Sequence, residues 1–175
     1  MQSSRGFTLI ELMITVAILA ILLGIGVPSF VDFIRNNRAS TQANELATAL
    51  NLARSEAVKR GLPVTLRSPV APNWTEYCVY EGQNADLGTE PGLLTCDDTD
   101  VLRAITVSDD FLVTSASTGI TFGRLGEQLW PAPAMPAQFS ITLAPKSGCT
   151  TGRPHQRNVT VALGGRVNVQ RVDCP

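Results

Sequence analysis

A chain of 175 residues, with roughly the first sixty belonging to one N-terminal element, leaves about 110 for a single small domain, enough for a modest core. Net charge is −1 but unevenly spread: Arg35–Arg67 holds six bases against two acids, Glu76–Glu127 ten acids against two bases, and Lys146–Pro175 five bases against one acid. Such blocks read as solvated loops or complementary subunit contacts. One histidine, and four cysteines without a C-x-x-C spacing, argue against a zinc centre.

Met1–Gly6 is short and polar, with Arg5 as a cation ahead of an apolar run. Between Leu12 and Val27 no residue is charged, and Thr15 is the only hydroxyl. Counted from Phe7 the run is 21 residues, about 30 Å of helix, which matches the hydrocarbon core of a bilayer. Glu11 lies inside it, where a lone carboxylate needs a partner, a shallow position or a proton. A secretory signal carries its small-x-small cleavage site after the apolar stretch. Here the candidate processing point, Gly6-Phe7, precedes it, so cleavage keeps the helix and leaves a new amine on Phe7.

Flanking charge leaves the orientation undecided. Cys78, Cys96, Cys149 and Cys174 decide it, because an even count behind a membrane-targeting segment reads as two disulfides in an oxidising, extracytoplasmic compartment. Three connectivities are open. The local one, Cys78–Cys96 with Cys149–Cys174, closes loops of about 20 and 27 residues, each stabilising by roughly 3 kcal/mol on the chain-entropy model.

Pro28 removes one helical hydrogen bond just after Gly24 and Gly26, so a kink or local unwinding is expected there. From Ser29 the helix continues in amphipathic form, with Ala43, Leu46, Leu50, Ala53 and Ala57 on one face. Arg60 closes it, Gly61 suits the left-handed cap, and Pro63 stops continuation. A helix from Phe7 to Arg60 is on the order of 80 Å long, more than a domain of this size can enclose.

After Pro63 the pattern is of short β-branched segments: Val64–Arg67, Thr75–Tyr80, Val101–Val107, Phe111–Thr114, Gly119–Phe122, Gln138–Leu143, Asn158–Leu163 and Arg166–Val172. Leu163-Gly164-Gly165-Arg166 predicts a hairpin in which both glycines take positive φ. Gly82–Asp100 and Trp130–Pro136 read as loops, and Asp109-Asp110 as a turn. The class is α+β: a long N-terminal helix, kinked near Pro28, on antiparallel sheet. The expected divisions are 1–6, a leader; 7–28, a transmembrane and assembly helix; 29–62, an amphipathic helix; and 63–175, a β-rich globular domain.

Arg5-Gly6-Phe7-Thr8-Leu9-Ile10-Glu11-Leu12 resembles the prepilin motif of type IV pilins and type II secretion pseudopilins. The resemblance implies a prepilin peptidase that cuts after Gly6 and methylates Phe7, and it makes Glu11 the assembly glutamate. Physics supports that last role independently, since a carboxylate–amine pair with a neighbouring subunit's Phe7 is far stronger in low dielectric than in water. Pilin-like proteins also carry a proline at the place of Pro28. The stretch Asn51–Leu66 is similar to the signature of the GspH/FimT family, the H-type pseudopilins and related minor pilins, and that family shares the helix-on-sheet architecture.

Support for catalysis is thin. His155 is the lone histidine, in a basic loop where an exposed, inert side chain is expected, and neither a G-x-S-x-G elbow, a G-x-G-x-x-G nor a P-loop occurs. Asp97-Asp98-Thr99-Asp100 lacks the glycine and distal glutamate of an EF-hand loop and reads as a solvated acidic loop. No cofactor and no metal are expected. Arg153, Arg157, Arg166 and Arg171 are candidate phosphate contacts. Some members similar to this chain bind DNA through Gly-Arg-x-Arg, but here Gly165-Arg166-Val167-Asn168 lacks the second arginine. Arg171, five residues on in a strand, points away from Arg166.

The resemblance therefore implies a minor pilin that helps initiate or cap a type IV pilus. The alternatives are an H-type pseudopilin of a type II secretion system and a DNA-binding uptake pilin. The implied partners are other pilins through the N-terminal helix, the prepilin peptidase and the inner membrane, with DNA a further candidate. The implied location is the bacterial inner membrane, single-pass with a periplasmic C-terminal domain, and then the filament.

Overall fold

A computed structural model describes residues 7–69, 72–82, 96, 101–130, 138–147, 149, 151–152 and 155–174. The chain divides into two compact units, Met1–Asn37 and Arg38–Pro175.

In the first unit the apolar run forms the start of α1 (Leu9–Arg60), which stays helical through Pro28. The expected local unwinding is not seen: one proline deletes one donor from a 52-residue ladder, and the turns on either side keep theirs. The large apolar side chains from Phe7 to Phe33 are exposed, from 39% at Val31 to 76% at Leu9. Asp32 and Arg35 pair one turn apart at 3.8 Å.

The second unit is built around the rear of the helix. Ala39, Ala43, Leu46, Ala49, Leu50, Ala53 and Ala57 recur at spacings of three and four and are almost wholly buried, so the predicted stripe holds and gains Ala39 and Ala49. Five of the seven are alanine, which keeps the face flat, while Leu46 and Leu50 supply volume. Gly61 takes φ 67° and its N–H donates to Ala57 O at 3.0 Å, the expected cap.

Among the described residues two antiparallel five-stranded sheets pack in this unit. The first has β1 (Val64–Arg67), β3 (Glu76–Glu81), β4 (Val101–Thr106), β6 (Gly119–Phe122) and β7 (Gln128–Trp130) in the order β4-β3-β1-β6-β7. The second has β2 (Asn73–Trp74), β5 (Phe111–Ser115), β8 (Phe139–Pro145), β9 (Gln156–Val161) and β10 (Val167–Val172) in the order β10-β9-β8-β5-β2. All four residues of β1 and of β6 are buried, so the centre of the first sheet is covered on both faces. There the Thr65 and Thr121 hydroxyls satisfy each other at 2.8 Å. In the second sheet β5, β8 and β9 alternate, sending Phe111, Val113, Phe139, Ile141, Leu143, Val159 and Val161 into a core shared with α1.

The predicted strands appear within about two residues of their bounds. Sequence reasoning missed β2 and β7, and Trp130, read as the start of a loop, ends β7. The rest of the Trp130–Pro136 loop and most of Gly82–Asp100 lie outside the described residues. The Asp109-Asp110 turn is present. The β9–β10 hairpin differs from expectation in detail. Only Gly165 has positive φ (76°), and its N–H donates to Ala162 O at 2.7 Å, so the turn ends in one left-handed glycine.

The disulfides pair locally: Cys78 with Cys96 (Cα–Cα 5.7 Å) and Cys149 with Cys174 (Cα–Cα 5.5 Å). These separations suit unstrained bridging.

Candidate assembly helix and C-terminal face

Thr8 precedes the first helical residue, and its Oγ1 accepts from the Glu11 N–H at 3.4 Å while its carbonyl accepts from Leu12 N at 3.2 Å. Thr8-Leu9-Ile10-Glu11 thus has the spacing of a capping box, a helix-start signal legible in the sequence itself. Glu11 falls in the first turn, where the positive end of the helix dipole favours an anion. The Thr15 hydroxyl donates to Leu12 O at 2.8 Å, so it adds no unmet polarity to the apolar run. Glu11 is the one charged side chain on α1 before Asp32. By length and composition this segment suffices to cross a membrane. Gly6 lies outside the described residues; Phe7 is 71% exposed.

The four candidate arginines do not form one patch. Arg153 lies outside the described residues. Arg157 faces the core with Val159 and Val161, is 2% exposed, and donates to Gln156 O at 2.9 Å and to Ser40 Oγ on α1 at 3.2 Å. Burial holds its guanidinium below the usual arginine range, and Arg171, its cross-strand partner, pushes the same way. Arg157 is therefore a packed core residue and is not presented to phosphate. Arg171 shares the parity of Arg157, opposite to Asn168 and Gln170, as the strand pattern predicts. Arg166 stands alone on the outward side, exposed. His155, expected to be exposed, is 2% exposed because it immediately precedes β9 on the core-facing parity of Arg157 and Val159.

Arg54, on the family-like stretch of α1, has a more specific task. Its Nε donates to Gly126 O at 3.0 Å and its Nη2 to Gly164 O at 3.1 Å. These carbonyls belong to two turns of one design: Gly126 N–H donates to Gly123 O at 2.8 Å with φ 81° at Gly126, matching the Gly165 turn. The turns pack so closely that a Cβ on Gly165 would strike Gly126 O and the Arg54 guanidinium. Gly165, first read within an incomplete Gly-Arg-x-Arg, thus has a steric reason of its own.

Among the described residues no three His, Cys, Asp or Glu side chains gather as metal ligands would. Asp97, Asp98 and Asp100 lie outside them.

A helix that is exposed and apolar at its start and forms the core of a two-sheet unit at its rear defines a pilin-like protein. The chain belongs to the family described as Type II transport protein GspH, which matches residues 42–165. The prokaryotic N-terminal methylation motif matches residues 1–27. Membership makes it a structural protein of the pilin and pseudopilin class rather than an enzyme.

Among curated proteins it is 36% identical over 77 residues to a fimbrial protein of Pseudomonas aeruginosa, covering 44% of this chain and 48% of that one. It is 35% identical over 96 residues to the pilin-like protein PilA1 of Thermus thermophilus, covering 52% and 56%. The chain spans about half the length of the curated relatives it matches. Its fold is similar to that of the type IV minor pilin FimU of Pseudomonas aeruginosa, with TM-score 0.55 and 17% identity over 79% of this chain and 92% of that one. It is also similar to the minor pseudopilin EpsH from the type 2 secretion system of Vibrio cholerae, with TM-score 0.50 and 16% identity over 77% and 97%.

Proposed function

We propose that this protein is a minor pilin, a subunit that helps initiate or cap a type IV pilus filament. The observation that carries the reading is the exposed apolar start of α1 with Glu11 as its lone charge. In this reading the peptidase cuts between Gly6 and Phe7, and residues 7–28, closed by Pro28, wait in the inner membrane while the domain of residues 63–175 folds in the periplasm, seated on the amphipathic helix of residues 29–62. The Phe7 amine of one subunit and the Glu11 carboxylate of another then neutralise each other among apolar side chains, where water does not screen them. That pairing rewards assembly, because each charge is costly in hydrocarbon alone.

The expected result of Glu11→Ala is normal cleavage with loss of the protein from sheared filaments, read by immunoblot of the filament and membrane fractions. Wild-type incorporation of the variant would overturn the reading.

A second reading, an H-type pseudopilin of a type II secretion system, is favoured by the family description and by the likeness to EpsH. Deleting the gene separates the two: loss of surface pili supports the first, and loss of protein secretion with pili intact supports the second. A DNA-uptake role draws little from the arginines, since Arg157 is buried and Arg171 lies on the other face from Arg166.

A further inference from the structure

Within its strands the outward face of the second sheet is uncharged. Its outward strand positions are Asn73 on β2; Leu112 and Thr114 on β5; Ser140, Thr142 and Ala144 on β8; Gln156, Asn158 and Thr160 on β9; and Asn168, Gln170 and Val172 on β10. Solvated faces ordinarily draw on Lys, Glu, Arg and Asp, and none stands here. The strand registers align the polar members in rows. Gln170 lies opposite Asn158, Asn158 opposite Thr142, Thr142 opposite Thr114, and Thr114 opposite Asn73. Asn168, Thr160 and Ser140 form the next row.

At the β9–β10 edge this face becomes a groove of about 440 Å³, lined by Gln138, Asn158, Thr160, Arg166, Asn168 and Gln170. It holds four carboxamides, a hydroxyl and one guanidinium, with no aromatic ring and no carboxylate. Asn158 Oδ1 is closed to solvent and accepts no hydrogen bond from the protein. Among the described residues no carboxylate pairs with Arg166.

This lining selects a class of ligand. Each carboxamide presents donors and an acceptor side by side, which is what a pair of neighbouring sugar hydroxyls requires. Neutral lining lets a hydroxyl-rich ligand approach without stripping water from fixed charges. A nucleic acid would need cations repeated along its backbone, and the groove has one. A protein partner would need an apolar anchor, and Ala162 is the only apolar residue at the groove. Arg166 at the rim matches a single carboxylate bidentately.

We propose that the β9–β10 groove is a binding subsite for an acidic oligosaccharide, with Asn168 and Gln170 on its hydroxyls and Arg166 on a uronate carboxylate. The proposal rests on the sheet face alone and goes beyond the filament role.

The test uses the full chain in zwitterionic micelles without sugar headgroups, titrated calorimetrically with a uronic-acid hexasaccharide and a neutral hexose hexasaccharide. The expected result is saturable binding of the uronate hexamer, tighter than the neutral one. Arg166→Ala should weaken uronate binding about tenfold, the worth of one charge-assisted hydrogen-bonded contact, and bring it to the level of the neutral sugar. Asn168→Asp, an exposed change that spares the fold, should also weaken it, while Arg171→Ala on the opposite face should leave it unchanged. Three results would each overturn the proposal: no saturable binding of either sugar, equal weakening by Arg171→Ala and Arg166→Ala, or tighter binding of duplex DNA that Arg166→Ala removes.

Discussion

Tyr77 on β3 is 2% exposed, and burial, seconded by Glu45, drives its phenol well above the ordinary tyrosine range. The sign of the linkage follows. In the folded chain the phenol keeps its proton at pH values where the unfolded phenol, near its reference value of about 10, has lost it. The stabilising contribution is therefore complete below about pH 10 and declines as pH rises above it. Urea midpoints measured from pH 8 to 11 should fall more steeply for the wild type than for Tyr77→Phe; parallel curves would contradict this account. At the same scale, the environment of Arg157 was partly legible. Gln156-Arg157-Asn158-Val159-Thr160-Val161 alternates, and Arg157 shares its parity with two valines that a strand would bury. The composition of the basic C-terminus hid that, because a charge count has no direction. His155 follows the same parity. By contrast, the role of Arg54 had no local signal, because its carbonyl partners lie 72 and 110 residues away.

Among elements, α1 was the most legible, since an i, i+3, i+4 stripe and a Gly61 cap depend only on residues within a turn or two of one another. Every described strand of four or more residues was also found, because alternation or a β-branched run needs that length to show. β2 and β7, of two and three residues, are too short to alternate, and exist because a neighbouring strand supplies their hydrogen bonds. The two left-handed glycine turns and Arg54 act as one joint between α1, the first sheet and the second. Arg54→Ala leaves two turn carbonyls without their charged donor and should cost about 2 kcal/mol, the usual worth of hydrogen bonds to a charged group. Urea unfolding should show a lower midpoint with an unchanged slope. Arg54→Lys, a point charge without the fork, should recover only part of the loss. A variant as stable as the wild type would mean that water serves these carbonyls as well as Arg54 does.

For the whole molecule, the Cys149–Cys174 bridge ties the segment ahead of β9 to the second residue beyond β10, across a sequence separation of 25. Cys174 is 3% exposed and bridges backbone to backbone with Thr151, so the sheet edge is held covalently. The double change Cys149→Ser with Cys174→Ser should lower unfolding free energy by roughly 3 kcal/mol, the loop-closure entropy of a ring this long. Chemical denaturation in micelles reads this out, and equal stability would assign the bridge a role other than stabilisation.

The sequence by itself determined the apolar start of α1 with its internal acid, the buried face of its rear half, its cap at Gly61 and the α+β class. All of these follow from interactions between near neighbours or from bulk transfer between water and hydrocarbon. Only the tertiary structure decided which cysteines pair, how the described strands divide between two sheets, which of the described arginines meet water, and that the outward strand positions of the second sheet form an uncharged array with a groove at its edge. Each of those depends on contacts between residues far apart in the chain, which no local pattern of charge or hydropathy encodes.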